Sequence, residues 1–222
     1  MLRWFSDVAP VRAVNRATVV DDASTDATRQ IAERAGARTF RVQCRKVSAV
    51  RNAGAREARG EVFFFVDADT QVNEKAVAAA LAVLRNGAAG GGCIFDFDGA
   101  IPLWARIAHF AGCVVGRIVR WVGGCFLFCS RQAYHAVGGF DESFSIGEDI
   151  AFCQALKKVG RFTVPRPSVV TSSRKIGVVT CWEALRVMLK IIVRGPRCES
   201  KLALDLVYGR RGQDCRKPDN AP

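Results

Sequence analysis

Closely spaced carboxylates are the residues of this sequence best suited to chemistry. Asp67 and Asp69 are one residue apart and directly follow the apolar run 62–66. Alternate residues near a strand end point to opposite sides. The two carboxylates are therefore unequal: one can coordinate a divalent cation while the other reaches a nucleotide ribose or a metal-bound water. Oxygen ligands suit Mg²⁺ and Mn²⁺, which share them with phosphate oxygens. The competing interpretation is an Asp-rich turn that caps the next helix.

The segments around these carboxylates predict alternating strands and helices. Apolar runs favour buried strands at 17–20 and 62–66. Helices are expected at 26–36, 47–59 and 73–86. This order predicts an α/β fold with a doubly wound, mostly parallel sheet flanked by helices. Ligands of such sheets bind at the carboxyl ends of the strands, where the adjacent Asp21 and Asp22 and the later aspartates all fall.

The second half of the sequence is less regular. Gly90, Gly91 and Gly92 predict a turn. The other expected elements are an amphipathic helix at 103–121, a short strand at 125–129, helices at 130–137 and 149–159, a last strand at 161–170 and a final helix at 181–194. A second acidic pair, Glu148 and Asp149, comes at the start of one of these helices, where it can also cap the helix.

Four segments of the sequence resemble the motifs of a known family in the family's own order. They are VVDDASTDAT at 19–28, SAVRNAGAREARGEVFFFVDADT at 48–70, GGCFLFCSRQAYHAVGGFDESF at 123–144 and GEDIAF at 147–152, which together span about 135 residues. In this order they resemble the inverting glycosyltransferases of family 2, which have a GT-A fold. The resemblance implies transfer of a sugar from a nucleoside-diphosphate sugar to an unknown hydroxyl acceptor, assisted by a divalent cation (Mn or Mg).

The resemblance also assigns the donor-binding and metal residues. Asp22 first, and Asp21 second, would recognise the base, because a carboxylate can accept a hydrogen bond from a pyrimidine N3–H. Arg51 would face the nucleotide. Asp67 and Asp69 resemble the metal motif, with Asp69 as the direct ligand. The structural alternatives are a turn closed by the first acidic pair and an exposed helix charge at Arg51.

Glu148 and Asp149 resemble the acidic pair that supplies the general base. Inversion needs a carboxylate that removes the acceptor hydroxyl proton during attack from the far side, and Asp149 is favoured over Glu148 for this role. The leaving nucleoside diphosphate needs cations placed in advance. Arg174 and Lys175, in a polar stretch after the last strand, are the candidates, and the alternative for both is a solvated loop.

One glycosyltransferase domain is expected over residues 1–222. It would comprise a nucleotide-sugar-binding half at 1–92, an acceptor and catalytic half at 93–180, and a C-terminal helix with a basic tail at 181–222.

The beginning of the sequence departs from the family pattern. The family starts with a strand, a loop and a helix before the segment that corresponds to 19–28, and residues 1–16 contain no matching apolar strand. Two hypotheses follow: the chain begins downstream of, or out of frame with, a usual start and residues 1–16 pack poorly, or residues 8–14 form a strand beside 17–20. The alternative function is an incomplete, inactive relative that acts as a binding or membrane-associated protein.

The charge of the chain favours anionic partners. The formal net charge is +12, yet no element alternates aromatic and basic residues as nucleic-acid modules do, so no nucleic-acid partner is expected. The helix at 103–121 is apolar on one side, with arginines nearer the other. It could pack on the sheet or lie on a membrane surface. The expected location is cytoplasmic, possibly at the inner face of the membrane, and the nine cysteines suit a reducing compartment.

Overall fold

The computed structural model describes residues 17–144 and 146–178. Strands and helices alternate through the first part of this range, as expected. The elements in chain order are β1 (Thr18–Asp22), α1 (Thr28–Arg34), β2 (Arg38–Val42), α2 (Val47–Glu57), β3 (Val62–Val66), β4 (Thr70–Gln71), α3 (Glu74–Arg85), β5 (Gly90–Gly92), β6 (Phe95–Phe97), α4 (Leu103–Val119), β7 (Phe126–Ser130), α5 (Arg131–Val137), α6 (Glu148–Val159), β8 (Phe162–Thr163) and β9 (Val169–Thr171), followed by a 3₁₀ helix at Ser173–Val178.

The described strands form three sheets. β1 pairs with β2 in parallel, a four-stranded sheet has the order β3-β7-β5-β8, and a three-stranded sheet has the order β4-β9-β6. The α/β class predicted from the sequence is confirmed. The strand pairing is mixed, with three parallel and three antiparallel pairs among the described strands, because β7 lies between β3 and β5 and runs antiparallel to both.

Strand β7 is the centre of the core. All of its residues from Phe126 to Cys129 are buried, and neighbouring side chains point to opposite faces. Phe126 and Phe128 join a cluster with the small residues of α3, while Leu127 and Cys129 join a second cluster with side chains of β3, α5 and α6. A strand covered on both faces explains the continuous apolar sequence of this segment.

The predicted turn at Gly90, Gly91 and Gly92 is wrong, because these residues form the buried strand β5. The reason is the closeness of the neighbouring strands. A side chain at Gly91 would collide with the carbonyl oxygen of Thr163 and the ring of Phe128, so only glycine fits between them. A glycine run indicates a turn only when nothing approaches the backbone this closely.

The last predicted strand and strand β2 also differ from the predictions. The single last strand expected at 161–170 is two short strands, β8 and β9, which belong to different sheets. Strand β2 was not predicted, because the arginines at its exposed positions interrupt any apolar alternation. The final helix expected at 181–194 and the strand expected at 8–14 lie outside the described residues.

Candidate active site

The guanidinium of Arg51 connects four segments of the chain at one point. Arg51 lies on α2 with only 9% of its side chain exposed. Its Nη2 donates to Asp67 Oδ1 at 2.9 Å and to the carbonyl oxygen of Gly124 at 3.1 Å, and its Nη1 donates to Glu148 Oε1 at 3.0 Å. Arg51 and Asp67 lie in the motif at 48–70, Gly124 lies in the motif at 123–144, and Glu148 lies in the motif at 147–152 and begins α6. The structure therefore brings the predicted donor-binding and catalytic segments together.

Helix α2 holds Arg51 in place through Asn52, which the sequence analysis did not single out. Asn52 is buried, and its amide nitrogen donates to the carbonyl oxygen of Phe140 at 2.8 Å and to Glu142 Oε1 at 2.8 Å. Its Oδ1 accepts from the Phe140 amide and from the Tyr134 hydroxyl. These bonds fix α2 to the loop between α5 and α6. The available signal was that Asn52 shares a helix face with Ala49 and Ala55, three residues away on either side, and with Ser48.

Asp149 is held by two backbone groups. Its Oδ2 accepts from the Gly124 amide at 2.8 Å and its Oδ1 accepts from the Ile150 amide at 2.8 Å. Gly124 thus donates to Asp149 and accepts from Arg51. A side chain at position 124 would collide with the Arg51 guanidinium, so the close approach requires glycine.

Burial and opposing charges set the protonation of the site. Burial opposes the charge of Arg51, but Asp67, Glu148 and Asp149 together raise the pKa of its guanidinium. Burial raises the pKa of Asp67, against the opposing effect of Arg51. Burial also raises the pKa of Glu148, and the neighbouring Asp149 raises it further while Arg51 opposes both. One guanidinium therefore does not neutralise this carboxylate cluster, and a cation would be attracted to it.

The charges of the predicted metal residues Asp67 and Asp69 act on the thiol of Cys125. Burial raises the pKa of Cys125 to about 11, and the charges of Asp67, Asp69 and Asp149 add to the shift. The Asp67 amide also donates a hydrogen bond to the carbonyl oxygen of Cys125 at 3.2 Å. The charge of Asp149 thus acts on the same thiol as those of Asp67 and Asp69, although residues 67 and 149 are far apart in the sequence.

The arrangement of Asp67 and Asp69 fits a hard divalent cation. Asp69 is exposed and makes no hydrogen bond or ion pair with the described residues, so its oxygens are available. Within residues 17–144 and 146–178, no three His, Cys, Asp or Glu side chains form a metal cluster on their own. Magnesium-type sites commonly use one or two carboxylates and complete the coordination with substrate phosphates and water.

Asp21 and Asp22 lie at the carboxyl end of β1, as predicted, and both bind backbone amides. Asp21 Oδ1 accepts from the Ser24 amide at 2.9 Å, and hydrogen bonding to Ser24 lowers the pKa of Asp21 although the side chain is buried. Asp22 Oδ1 accepts from the amides of Cys44 at 2.7 Å and Arg45 at 3.2 Å. The turn expected as the structural alternative is therefore present at Asp21. The donor-binding role of the two residues stays a prediction.

Arg174 follows β9 in the 3₁₀ helix at Ser173–Val178. It is exposed, and its Nε donates to Ser172 Oγ at 2.9 Å. The neighbouring Ser173 amide donates to Asp98 Oδ1 at 2.8 Å, and the pKa of Asp98 is lowered by hydrogen bonding to Ser173 and further by the charge of Arg174. Among the described residues Arg174 makes no hydrogen bond or ion pair with Asp67 or Asp69, so the donor-binding role of Arg174 and Lys175 stays a prediction.

An α/β protein with carboxylates at the ends of its strands has the arrangement in which ligands bind at the edge of the sheet. The chain belongs to the family described as Glycosyl transferase family 2, which it matches over residues 15–162. This match confirms the family expected from the four sequence motifs.

Solved structures share this fold. S. aureus TarS is 17% identical, with a TM-score of 0.56, over 92% of this chain and 40% of that one. The mannosyltransferase PcManGT from Pyrobaculum calidifontis, in complex with GDP-Man and Mn²⁺, is 18% identical, with a TM-score of 0.59, over 90% of this chain and 64% of that one. S. aureus TarS 1–349 in complex with UDP-GlcNAc is 16% identical, with a TM-score of 0.57, over 92% and 65%.

These similarities confirm the GT-A fold. The chain spans between 40% and 65% of the length of these three structures. None of the curated proteins matches the chain.

Proposed function

We propose that this chain transfers a sugar from a nucleoside-diphosphate sugar to a hydroxyl acceptor with inversion, assisted by a divalent cation and a carboxylate base. The observation that carries this proposal is the buried Arg51, which joins Asp67, Gly124 and Glu148 at one point. Such a cluster at the carboxyl ends of strands is the usual ligand site of an α/β sheet. Structures of similar fold were solved with GDP-Man and Mn²⁺ and with UDP-GlcNAc, which supports a nucleotide-sugar donor.

Asp69, together with Asp67, would hold the cation. When bound, a divalent cation neutralises charge that develops on the leaving diphosphate. Arg51 occupies one oxygen of Asp67, so Asp69 is the freer ligand. Arg51 itself orients Asp67 and Glu148 and keeps the two carboxylates apart. Arg174 and Lys175 would lie near the diphosphate, and Asp21 and Asp22 would lie near the base.

Asp149 is the better general base of the acidic pair. The Glu148 side chain is only 13% exposed and is already paired with the Arg51 guanidinium at 3.0 Å. Asp149 forms no salt bridge with the described residues, and two backbone N–H groups fix its orientation. A base must be both oriented and able to take the acceptor proton. Asp149 meets both conditions, while proton uptake by Glu148 would cost its ion pair with Arg51.

Donor binding and donor hydrolysis with and without Mn²⁺ test the proposal. We expect a panel of nucleoside-diphosphate sugars to include one that stabilises the chain with Mn²⁺ and is slowly hydrolysed. A ligand at 100 times its dissociation constant adds about 2.7 kcal/mol of stability. Asp69→Ala should remove the Mn²⁺-dependent part of this affinity while leaving the fold intact, because Asp69 is exposed. Asp26→Ala, on the loop before α1, is the control.

Two results would contradict the proposal. Equal affinity with EDTA and with Mn²⁺ would show that Asp69 has no metal role. Binding without any turnover would instead support the alternative of an inactive relative that acts as a binding protein.

A further inference from the structure

The apolar side of α4 faces away from the protein. Exposed apolar side chains recur along the helix at spacings of three and four residues, so they form one stripe. The exposed large apolar residues from this helix to the loop after it are Leu103, Ile107, Phe110, Val114, Val115, Ile118, Val119 and Trp121. Phe110 is 72% exposed and Ile118 is 75% exposed. The interpretation that this side packs on the sheet is therefore wrong.

The inner side of α4 explains the orientation. It carries Trp104, Ala105, His109, Cys113 and Gly116, of which Ala105 and Gly116 are buried. His109 contacts the rings of Phe95 and Phe97 on β6, with centroid distances of 5.1 and 5.0 Å. Any side chain at Gly116 would collide with the backbone of the loop that follows the helix. Rotating α4 to bury its large residues would break this close packing.

Arg117, Lys157 and the following loop fix the helix in place. Arg117 donates to the carbonyl oxygens of Pro165 at 3.1 Å and Arg166 at 3.0 Å. Lys157 donates to the Val119 carbonyl oxygen at 2.6 Å, and its ammonium lies 5.8 Å from the centre of the Trp121 ring. The outward stripe is thus a built surface of the fold.

The surroundings of the stripe are basic. No Asp or Glu occurs from residue 99 to residue 140, a stretch that contains the whole of α4. Arg106 and Arg120 are exposed at the two ends of the helix. Asp96 is the nearest acidic residue for which contact is observed, and it lies 3.9 Å from His109 on the inner side. An apolar stripe with flanking arginines is complementary to a bilayer with an anionic surface.

We infer that α4 and Trp121 form a docking surface for an anionic phospholipid membrane, with the helix lying along the surface. None of the helices in the described ranges has the length and hydropathy to cross a bilayer. At 1.5 Å per residue, the 17-residue helix presents a stripe about 25 Å long. The helix ends five residues before Gly124, so docking brings the site of Arg51 and Asp149 close to the bilayer. This inference goes beyond glycosyl transfer and does not depend on it.

Flotation of the full chain with lipid vesicles tests the inference in the absence of any donor. We expect binding to vesicles of mixed phosphatidylcholine and phosphatidylglycerol, weaker binding at high ionic strength, and little binding to phosphatidylcholine alone. Replacing Phe110→Ser and Ile118→Ser together should lower partitioning by at least about tenfold, with no fall in melting temperature. Ile31→Ser, an exposed apolar residue on α1, is the matched control and should bind as the parent does.

Three outcomes would overturn the inference. The first is that the parent chain does not bind anionic vesicles even at low salt. The second is a parent dimer that the double variant converts to a monomer, since a second copy would then cover the stripe. The third is a double variant that melts at a lower temperature, together with a parent chain that does not bind vesicles. That result would indicate that the stripe packs against residues 179–222. None of these measurements involves a sugar donor, so a failed transfer assay does not affect them.

Discussion

The two adjacent acidic residues at the start of α6 bind different groups, and only Glu148 is paired with Arg51. Glu148 forms an ion pair with the guanidinium, while Asp149 accepts hydrogen bonds from the backbone amides of Gly124 and Ile150. The identities of Arg51, Asp67, Glu148 and Asp149 were predictable because each lies in a recognisable motif. The contacts among them were not predictable, because they join positions up to 97 residues apart.

The first prediction at this scale concerns the base. Asp149→Asn should lower turnover by about 10²-fold or more, while donor affinity stays nearly unchanged. Asparagine keeps one oxygen for a backbone amide but cannot accept the acceptor proton. Steady-state kinetics at saturating donor, together with a separate donor titration, measure the two effects. Unchanged turnover would transfer the role to Glu148 or to another group.

The second prediction concerns the pH dependence of folding. Burial raises the pKa of Glu148 above its unfolded value. The folded protein therefore holds that proton more tightly, and stability is lost as the pH rises from the ordinary glutamate range through the raised pKa. Glu148→Gln removes this titration. The free energy of unfolding of the variant, relative to the parent, should increase as the pH rises through that window.

Urea unfolding of both proteins at several pH values measures this difference. A difference that stays constant, or that falls with rising pH, would show that attraction by Arg51 outweighs the burial of Glu148.

Elements that depend on residues near in sequence were predictable, whereas elements that depend on contacts with distant strands were not. Strand β3 has the predicted bounds of 62–66, because a run of five apolar residues suits only a buried strand here. Helix α3 begins where expected, since Asn73 caps it by accepting from the Ala76 amide. Strand β5 was missed because its glycines are required by contacts with β7 and β8, which no sequence pattern displays.

Strand β5 gives the prediction at this scale. Gly91→Ala should lower the free energy of unfolding by about 1–3 kcal/mol, because the added carbon meets the Thr163 carbonyl oxygen and the Phe128 ring. Gly112→Ala on α4 is the control, since nothing lies near its added carbon and alanine favours a helix. Denaturant titrations of both variants make the comparison. A Gly91→Ala protein as stable as the parent would show that β7 and β8 can separate.

At the scale of the whole molecule, pairing is uneven across the sheets. Strand β7 is paired on both edges, by β3 and β5, whereas β1 pairs on one edge with β2. The other edges of β1 and β3 have no strand partner among the described residues. The family pattern predicted the order of elements, but the division into three sheets depends on pairings between distant strands.

Hydrogen exchange should reveal this unevenness. We expect the amides of β7 to exchange only on global unfolding and those of β1 to exchange faster, because a strand with one partner can open locally. Mass spectrometry of peptides covering 18–22 and 126–130 measures both. Equal protection of the two strands would mean that further structure covers the open edge of β1.

The glycine strand also bears on how substitutions in this protein should be interpreted. Gly90, Gly91 and Gly92 lie within the core and contact Phe128, Leu156 and Leu127. In a library of all single substitutions, these positions should tolerate as little change as the carboxylates proposed to be catalytic. Their intolerance would be rescued by higher expression or lower temperature, whereas that of Asp149 would not. Intolerance of substitution at a position in this chain therefore indicates a catalytic role only where the variant yields as much folded protein as the parent.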